Sequence, residues 1–375
     1  MTKAAELAKM GEVLTNSQIG RKNIIINGGM QIAQRSTEET GLGAASGYFT
    51  LDRYDMTINA TSAGRYTMTQ STITDLEGFS TGVKFQCTTP DTSIAAGELL
   101  IFQQHIEGFN AQQLKATSTS TRAFTVSFYA KSNANRAIAS EVTFSNGTNR
   151  QMSKLHTIGT SWARYTMTVP AASSTQIDND NSNELQINFW LHAGSTYTSG
   201  TLNDDALDSV TNANRAAGIG SIFASTDNTL EITGLQVEVG SVATPFEHRS
   251  FGEELQLCQR YYQEITGSID NSALGDADQT LFPCLAYNTT LGLGTVTFTT
   301  PMRGLAAIGY SAVGHFLKVT AGRGDNVTGL ALYDATTNAT TRTAYINVTS
   351  GNSTAGGGLV AAQNTAARLN FDAEL

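Results

Sequence analysis

Several stretches of this chain alternate apolar and polar residues with a period of two, and that pattern confines them to extended strands with one buried face. In RAFTVSFYAKS (122–132), Phe124, Val126 and Phe128 stand against Thr125, Ser127 and Tyr129. In WARYTMTV (162–169), Tyr165, Met167 and Val169 stand against Arg164, Thr166 and Thr168. In ELQINFWLHAG (184–194), Ile187, Phe189 and Leu191 take one side and Asn188, Trp190 and His192 the other. TLEITGLQVEVGS (229–241) completes the set. Strands spaced more widely than hairpins predict a jelly-roll β-sandwich over 22–249 in an all-β protein. Gly (35), with many Thr, Ser and Asn and only 5 Pro, supplies the turns that such a fold needs.

Two segments follow a helical period instead. Leu7, Met10 and Leu14 form one stripe in residues 3–14. So short a helix needs a partner surface, so segment 1–21 is either an attachment peptide, a seam between subunits or a frayed terminus. In SFGEELQLCQRYYQE (250–264), Ser250 and Glu253 make a capping box, with Leu255, Cys258 and Tyr262 as the stripe behind it. This predicts a connector helix over 250–265. Beyond it, TVTFTTPMRG, HFLKVTAG, GLALYDA, TAYINVT and ARLNFDAEL predict a second, smaller β-sandwich over 266–375. A chain of 375 residues accommodates both. No fixed-period repeat argues for a solenoid or propeller.

The net charge of −9, with no Lys/Arg cluster, argues against a nucleic-acid partner. No apolar run is long enough for membrane insertion, and the N-terminus lacks the apolar segment of a signal peptide, so synthesis and assembly in a cytosol are expected. Cys87, Cys258 and Cys284 lack metal or disulfide spacing and read as buried thiols. Gly309–Val313 lacks the last Gly of a nucleophile elbow, and no phosphate-binding loop is present, so no enzyme is expected and no catalytic residue is nominated. Arg323-Gly324-Asp325 spells an adhesion tripeptide and is read as a turn.

KNIIINGGMQIAQRST (22–37) followed by YFTLDRY (48–54) resembles the opening of a group of phage tail-fibre and related virion proteins. QQHIEGFNAQQL (103–114), RAFTVSFYAKS and GTSWARYTMTVP (159–170) match later blocks of that group. ITGLQVEVGSVATPFEHRSFGEELQLCQRYY (232–262) is the strongest block. Tyr54 and Tyr129 stand where the group commonly has Trp. The resemblance implies a jelly roll like those of carbohydrate-binding modules, in a homotrimeric virion appendage built in the host bacterial cytoplasm. Its expected partners are other copies of itself, tail or capsid proteins held by the N-terminal segment through Leu7, Met10 and Leu14, and host-surface polysaccharide. A tail fibre and a capsid decoration or head-fibre protein of purely architectural role both fit.

Sugar recognition needs aromatic faces flanked by amides and carboxylates. Trp190, with Asn188 and His192 beside it, is the leading candidate, and Tyr129, Gln236 and Glu238 join it if their strands line up. The alternative is that Trp190 packs under a loop or against another subunit. Trp162 reads as a plug at a sandwich end or, less simply, a ligand contact. Asp52, Arg53 and Glu107 read as a buried polar network at strand ends. Asp178 and Asp180, in IDNDNSNE (177–184), alternate as Ca²⁺ ligands do, and a solvated acidic loop explains them equally well. No other cofactor is expected.

Overall fold

The computed structural model describes Lys3 and residues 21–375, apart from 60–62, 147–148, 174, 267–278, 287, 321–322, 334–340, 352–355 and 364–365. The expected N-terminal helix with Leu7, Met10 and Leu14 lies outside the described residues. The chain divides into a unit of Met1–Glu254 with Leu375, and a second of Leu255–Glu374.

The strands of the first unit begin with β1 (Glu38–Leu42), β2 (Tyr54–Asn59), β3 (Arg65–Thr72), β4 (Thr81–Thr89) and β5 (Leu99–Glu107). Next come β6 (Lys115–Thr117), β7 (Ser120–Thr121), β8 (Phe124–Ser132), β9 (Arg136–Phe144) and β10 (Arg150–Ile158). The set ends with β11 (Ala163–Val169), β12 (Ala172–Ser173), β13 (Asn183–Ala193), β14 (Asp208–Ser209) and β15 (Thr229–Val239). Two six-stranded sheets, ordered β1-β3-β4-β15-β8-β11 and β14-β10-β9-β13-β5-β2, form the jelly-roll sandwich, with β12-β7-β6 as a small third sheet. Phe124, Val126, Phe128, Ile187, Phe189 and Leu191 lie in its core, as the alternation requires. The sheets interlock through Phe128 on Phe189, centroids 4.8 Å apart, and Phe85 on Phe102, 5.1 Å apart. Each such ring contributes about 2–3 kcal/mol of burial.

Residues 22–34 enter this core without belonging to a sheet, so side chains satisfy their backbone. Asn23 Oδ1 accepts the amides of Ile25 and Val237, both at 3.0 Å, and its Nδ2 donates to Leu235 O. Gln104 receives Ile26 N and returns a bond to Ile26 O. Asn27 Nδ2 donates to Ile32 O and Asp52 O, and its Oδ1 accepts Ile32 N. Asp52 in turn accepts the backbone and side chain of Gln34, while Arg53 donates to His105 O at 2.6 Å. Asn27, Met30 and Arg53 all take positive φ, a strain that only such over-determination sustains. A Cβ at Gly28 would stand 2.3 Å from Leu235 O, so only glycine fits there.

His156 points into the same core, its Nε2 2.8 Å from Ser140 Oγ and its ring edge-on to Phe128. Burial, with a smaller push from Lys154, brings its pKa down to about 4.

In the second unit, the strands are β16 (Tyr262–Thr266), β17 (Gln279–Ala286), β18 (Leu291–Thr297), β19 (Ala307–Tyr310) and β20 (Phe316–Thr320). They continue with β21 (Arg323–Leu332), β22 (Thr343–Ser350), β23 (Gly356–Ala362) and β24 (Arg368–Asp372). This unit corrects the expected second sandwich: β17-β18-β22-β21-β20-β23 closes into a barrel, beside a three-stranded sheet β16-β24-β19. Closure needs inward positions small enough for large neighbours to cross. Gly294 provides one, since a Cβ there would stand 2.3 Å from the Phe282 ring. Arg323-Gly324-Asp325 starts β21, where Gly324 pairs with Val319 and Asp325 with Lys318, rather than forming a turn.

The helix expected over 250–265 runs Phe251–Gln259, with Ser250 Oγ accepting Glu253 N at 3.4 Å. It stops short because Tyr262 already pairs with Asp372 as a strand. All three cysteines are free and buried. Among the described residues no helix is long and apolar enough to cross a membrane.

Lys318 is fully buried between Phe316 and Thr320, and its Nζ has no hydrogen-bond partner. Burial pushes its pKa below the usual lysine value, against the opposing pull of Cys284 and Asp325. Replacing Lys318 by Met is expected to stabilise the barrel by about 1–3 kcal/mol, the cost of an unsatisfied buried polar group. Thiol labelling of Cys284 across a urea series reads this locally, and an unchanged or lowered midpoint contradicts it. For His156 the folded pKa lies below the ordinary 6.5, so its contribution is full above pH 6.5 and falls away as pH drops toward 4. The loss amounts to about 3 kcal/mol. His156→Gln should flatten the stability profile of the jelly roll in that window, measured by denaturation at several pH values.

Candidate functional site

The residues expected to share one sugar-binding face do not. Trp190, Asn188 and His192 lie on β13 of the second sheet, whereas Tyr129 on β8 and Glu238 on β15 belong to the first. The core separates them, because neighbouring strands in a jelly roll cannot be read from alternation alone.

Glu238 holds the chain that follows β15. Its carboxylate accepts Thr244 N at 2.8 Å and Thr244 Oγ1 at 2.5 Å. Gln236 Nε2 donates to Glu238, and Gln236 Oε1 accepts Glu247 N. Glu247 then accepts the amides of Lys22 and Asn23. The Ala-Thr-Pro-Phe-Glu block is thus a strap over the outer face of the first sheet, tied by Arg164 to Thr244 O and Ser127 Oγ. Tyr129 lies half-buried beside it, with Phe79 5.1 Å away and the Arg164 guanidinium over its ring.

Trp190 is fully buried under the loop after β13, the alternative left open by its sequence. It packs with Leu99, Ile101, Ala139, Tyr197 and Ala216 in a small separate cluster. Its Nε1 donates to Glu141 Oε2 at 3.0 Å, and the Arg215 guanidinium stands 4.8 Å over the ring. Arg215 grips Glu141 with two bonds of 2.7 and 2.8 Å, and Asn188 Nδ2 adds a third donor at 2.9 Å. The buried carboxylate is thereby satisfied.

His192 is also buried, with Nδ1 2.7 Å from Ser221 Oγ and Nε2 3.1 Å from Glu98 Oε2. The three side chains have the connectivity of a nucleophile, base and acid. However, Ser221 Oγ also accepts Phe223 N as the cap of a short turn, and the Phe223 ring packs on the imidazole. The arrangement fastens the loop to the sheet.

The second sheet's outer face carries its side chains in rows; in the two polar rows Gln186 and His105 are half-buried and the other members are buried. One row, Leu155–Ala139–Trp190–Ile101–Thr57, is mostly apolar and includes the residues beneath the loop. The next, Ser153–Glu141–Asn188–Gln103–Asp55, is entirely polar. A third, Gln151–Thr143–Gln186–His105, runs beside it across four strands. Gln103 Nε2 donates to Asp55 at 2.8 Å and to Thr57, and Thr143 Oγ1 donates to Gln186 Oε1 at 3.1 Å. Burial would raise the Asp55 pKa, but bonds from His105, Gln103 and Thr57 hold it below the usual aspartate value. Three atoms of these two rows have no hydrogen-bond partner: Asn188 Oδ1, Gln151 Nε2 and His105 Nδ1. Sequence reading missed all but Asn188, because β9 and β10 place Ser140 and Ser153 where alternation would want clear contrast.

Asp178 and Asp180 engage neutral neighbours. Asp178 accepts Gln176 Nε2 and Asn146 Nδ2, both at 2.9 Å, which hold its pKa down, and Asp180 accepts the amide and hydroxyl of Ser182. Among the described residues no group of three or more His, Cys, Asp or Glu is gathered as for a metal ion. Trp162 is half-exposed, donates to Asp75 Oδ1 at 2.9 Å and carries the Lys131 ammonium 5.0 Å over its ring. Asp52, Arg53 and Glu107 are buried, the first two in the closing network and Glu107 accepting Asn110 Nδ2.

No family model matches the chain, and no curated protein matches it. Among solved structures, one described as CBM4 is similar at 12% identity and a TM-score of 0.29, over 57% of this chain and 98% of that one. The family 11 carbohydrate-binding module of a cellulosomal cellulase of Clostridium thermocellum is similar at 13% identity and a TM-score of 0.28, over 57% and 99%. A xylan-binding domain from Paenibacillus barcinonensis is similar at 7% identity and a TM-score of 0.28, over 60% and 99%. At such scores the fold is defined by the sheet order given above.

Arg215→Met would leave Glu141 buried with no countercharge. Loss of about 3–5 kcal/mol of jelly-roll stability is expected. Equilibrium unfolding monitored by Trp190 fluorescence checks it, and a change below about 1 kcal/mol would show that Glu141 is not held as a buried anion.

Proposed function

We propose that this protein is a structural component of a bacteriophage appendage, tail-fibre-like and homotrimeric, that adsorbs to host-surface glycan without catalysing a reaction. The phage setting and the trimer are supported by the sequence blocks at 22–37, 48–54 and 232–262, whose residues have identifiable work here. Asn23, Asn27 and Gly28 close the sandwich, and Gln236, Glu238 and Glu247 tie the strap. Those roles belong to an architectural module.

The observation that carries the glycan reading is the pair of polar rows on the second sheet, with three unpartnered atoms in Gln151, Asn188 and His105. An unsatisfied buried polar atom costs about 1–3 kcal/mol, and a surface built with several is poised for a ligand rich in hydroxyls. Neutral amides and hydroxyls predominate there, as hydroxyl recognition requires. The non-catalytic reading is supported by Ser221 and His192, which are committed to holding a loop.

The test is binding of the purified full chain to an array of bacterial envelope polysaccharides, with its copy number and position determined in the intact particle. Saturable binding to at least one polysaccharide is expected, weakened tenfold or more in the double variant Gln186→Ala, His105→Ala. Binding to none, together with contacts to the capsid lattice alone, would sink adsorption and favour a decoration role. A monomer in sedimentation would remove the trimer.

A further inference from the structure

A cavity of about 450 Å³ opens at the β10–β14 edge of the second sheet, where the second polar row ends at Gln151. Its other wall is the loop over 201–214, which contributes Leu202, Asn203, Asp208, Thr211 and Asn214. The loop is fixed by backbone bonds and side-chain amides. Ser153 N donates to Asn203 O at 2.7 Å, Asn203 Nδ2 to Gln151 O at 2.8 Å and Thr201 N to Asn214 Oδ1 at 3.2 Å. Gln151 also pairs with Asp208 across the strand edge. The cavity is therefore preformed, which limits the entropy lost on binding.

Gln151 is fully buried, and its orientation is set by Ser153 Oγ, which donates to Oε1 at 3.3 Å. That leaves Nε2, with two hydrogens and no acceptor, as the free end of the amide. The lining contains no Lys, Arg or His, and Asp208 is its one charge, so an anionic ligand is disfavoured. Leu202 is its one large apolar side chain. A ligand matching this set is neutral, rich in hydroxyls, and carries one strong acceptor together with a small apolar group. The acetamido substituent has both, as a carbonyl oxygen and a methyl.

We infer that this cavity binds an N-acetylated hexosamine unit of a glycan, with the acetamido carbonyl on Gln151 Nε2 and the methyl against Leu202. The inference rests on reading the second sheet as a glycan-binding face, and it names the sugar class at one end of that face. A carbonyl reaching an otherwise unpaired buried donor discriminates strongly, because a sugar lacking it leaves the donor unsatisfied.

The test uses the full chain with N-acetylglucosamine and N-acetylgalactosamine against glucose, galactose and fucose, by calorimetry and saturation-transfer NMR. The N-acetyl sugars are expected to bind at least tenfold more tightly than the others, with the acetyl methyl receiving the largest saturation. Gln151→Leu should abolish that preference. Because Gln151 is buried, Thr211→Arg serves as a second variant: Thr211 is exposed at the rim, so the fold is kept while the cavity is filled. Equal binding of glucose, preferential binding of fucose, or unchanged N-acetyl binding in Thr211→Arg would overturn the inference. If an envelope polysaccharide binds, is sensitive to the Gln186 and His105 substitutions and is not displaced by either N-acetyl sugar, this inference fails while the adsorption reading stands. If no glycan of any kind binds, both fall.

Discussion

The jelly roll depends on a segment that is buried without being part of any sheet. Residues 22–34 lie against the core with their amides and carbonyls cut off from water, and a buried unpaired backbone group costs as much as a hydrogen bond lost. Asn23, Asn27, Gln104 and Asp52 supply the missing partners, and Arg249 adds bonds to Ile25 O and Asn23 O. The Arg249 bonds, and those of Asn23 to Leu235 and Val237, join positions more than two hundred residues apart in the chain, so the first and last parts of the unit are ordered together. The strained backbone at Asn27, Met30 and Arg53 is tolerable only inside that set of bonds.

This arrangement explains what was legible in the sequence. Strands β8, β11, β13 and β15 announced themselves because their apolar faces are continuous and meet in one core. The helix start was legible through Ser250 and Glu253, whose cap is local. Strands β9 and β10 were not, since Ser140, Ser153 and His156 are buried polar residues that blur the alternation. The barrel was mistaken for a sandwich because closure is set by which strands meet at the ends, β17 with β23, and no local pattern encodes that pairing.

The site was less legible than the fold for a related reason. Which side of β13 is apolar was readable, but what covers the other side was not. Trp190 faces away from the main core, yet the chain between β13 and β15 returns over it and makes a second, smaller one. The same loop leaves Gln186 and His105 outside its footprint. Tyr129 and Glu238 lie on the other sheet from Trp190, a separation that alternation does not encode. The strap residues were recognisable as a conspicuous run of letters, but their work, holding backbone to backbone, has no signature in spacing.

The two-residue strand β14 has a consequence for how copies of this molecule coexist. It covers β10 only at Arg150 and Gln151, and beyond them Ser153 N donates to Asn203 O of the loop. A long, straight, unpaired margin would invite another chain to continue the ladder, the first step of fibrous aggregation. Here the margin is interrupted within two residues and bent into a concavity. The sheet is thus terminated by the same two residues that form one wall of its recess, so a single truncated strand both ends the ladder and shapes the cavity.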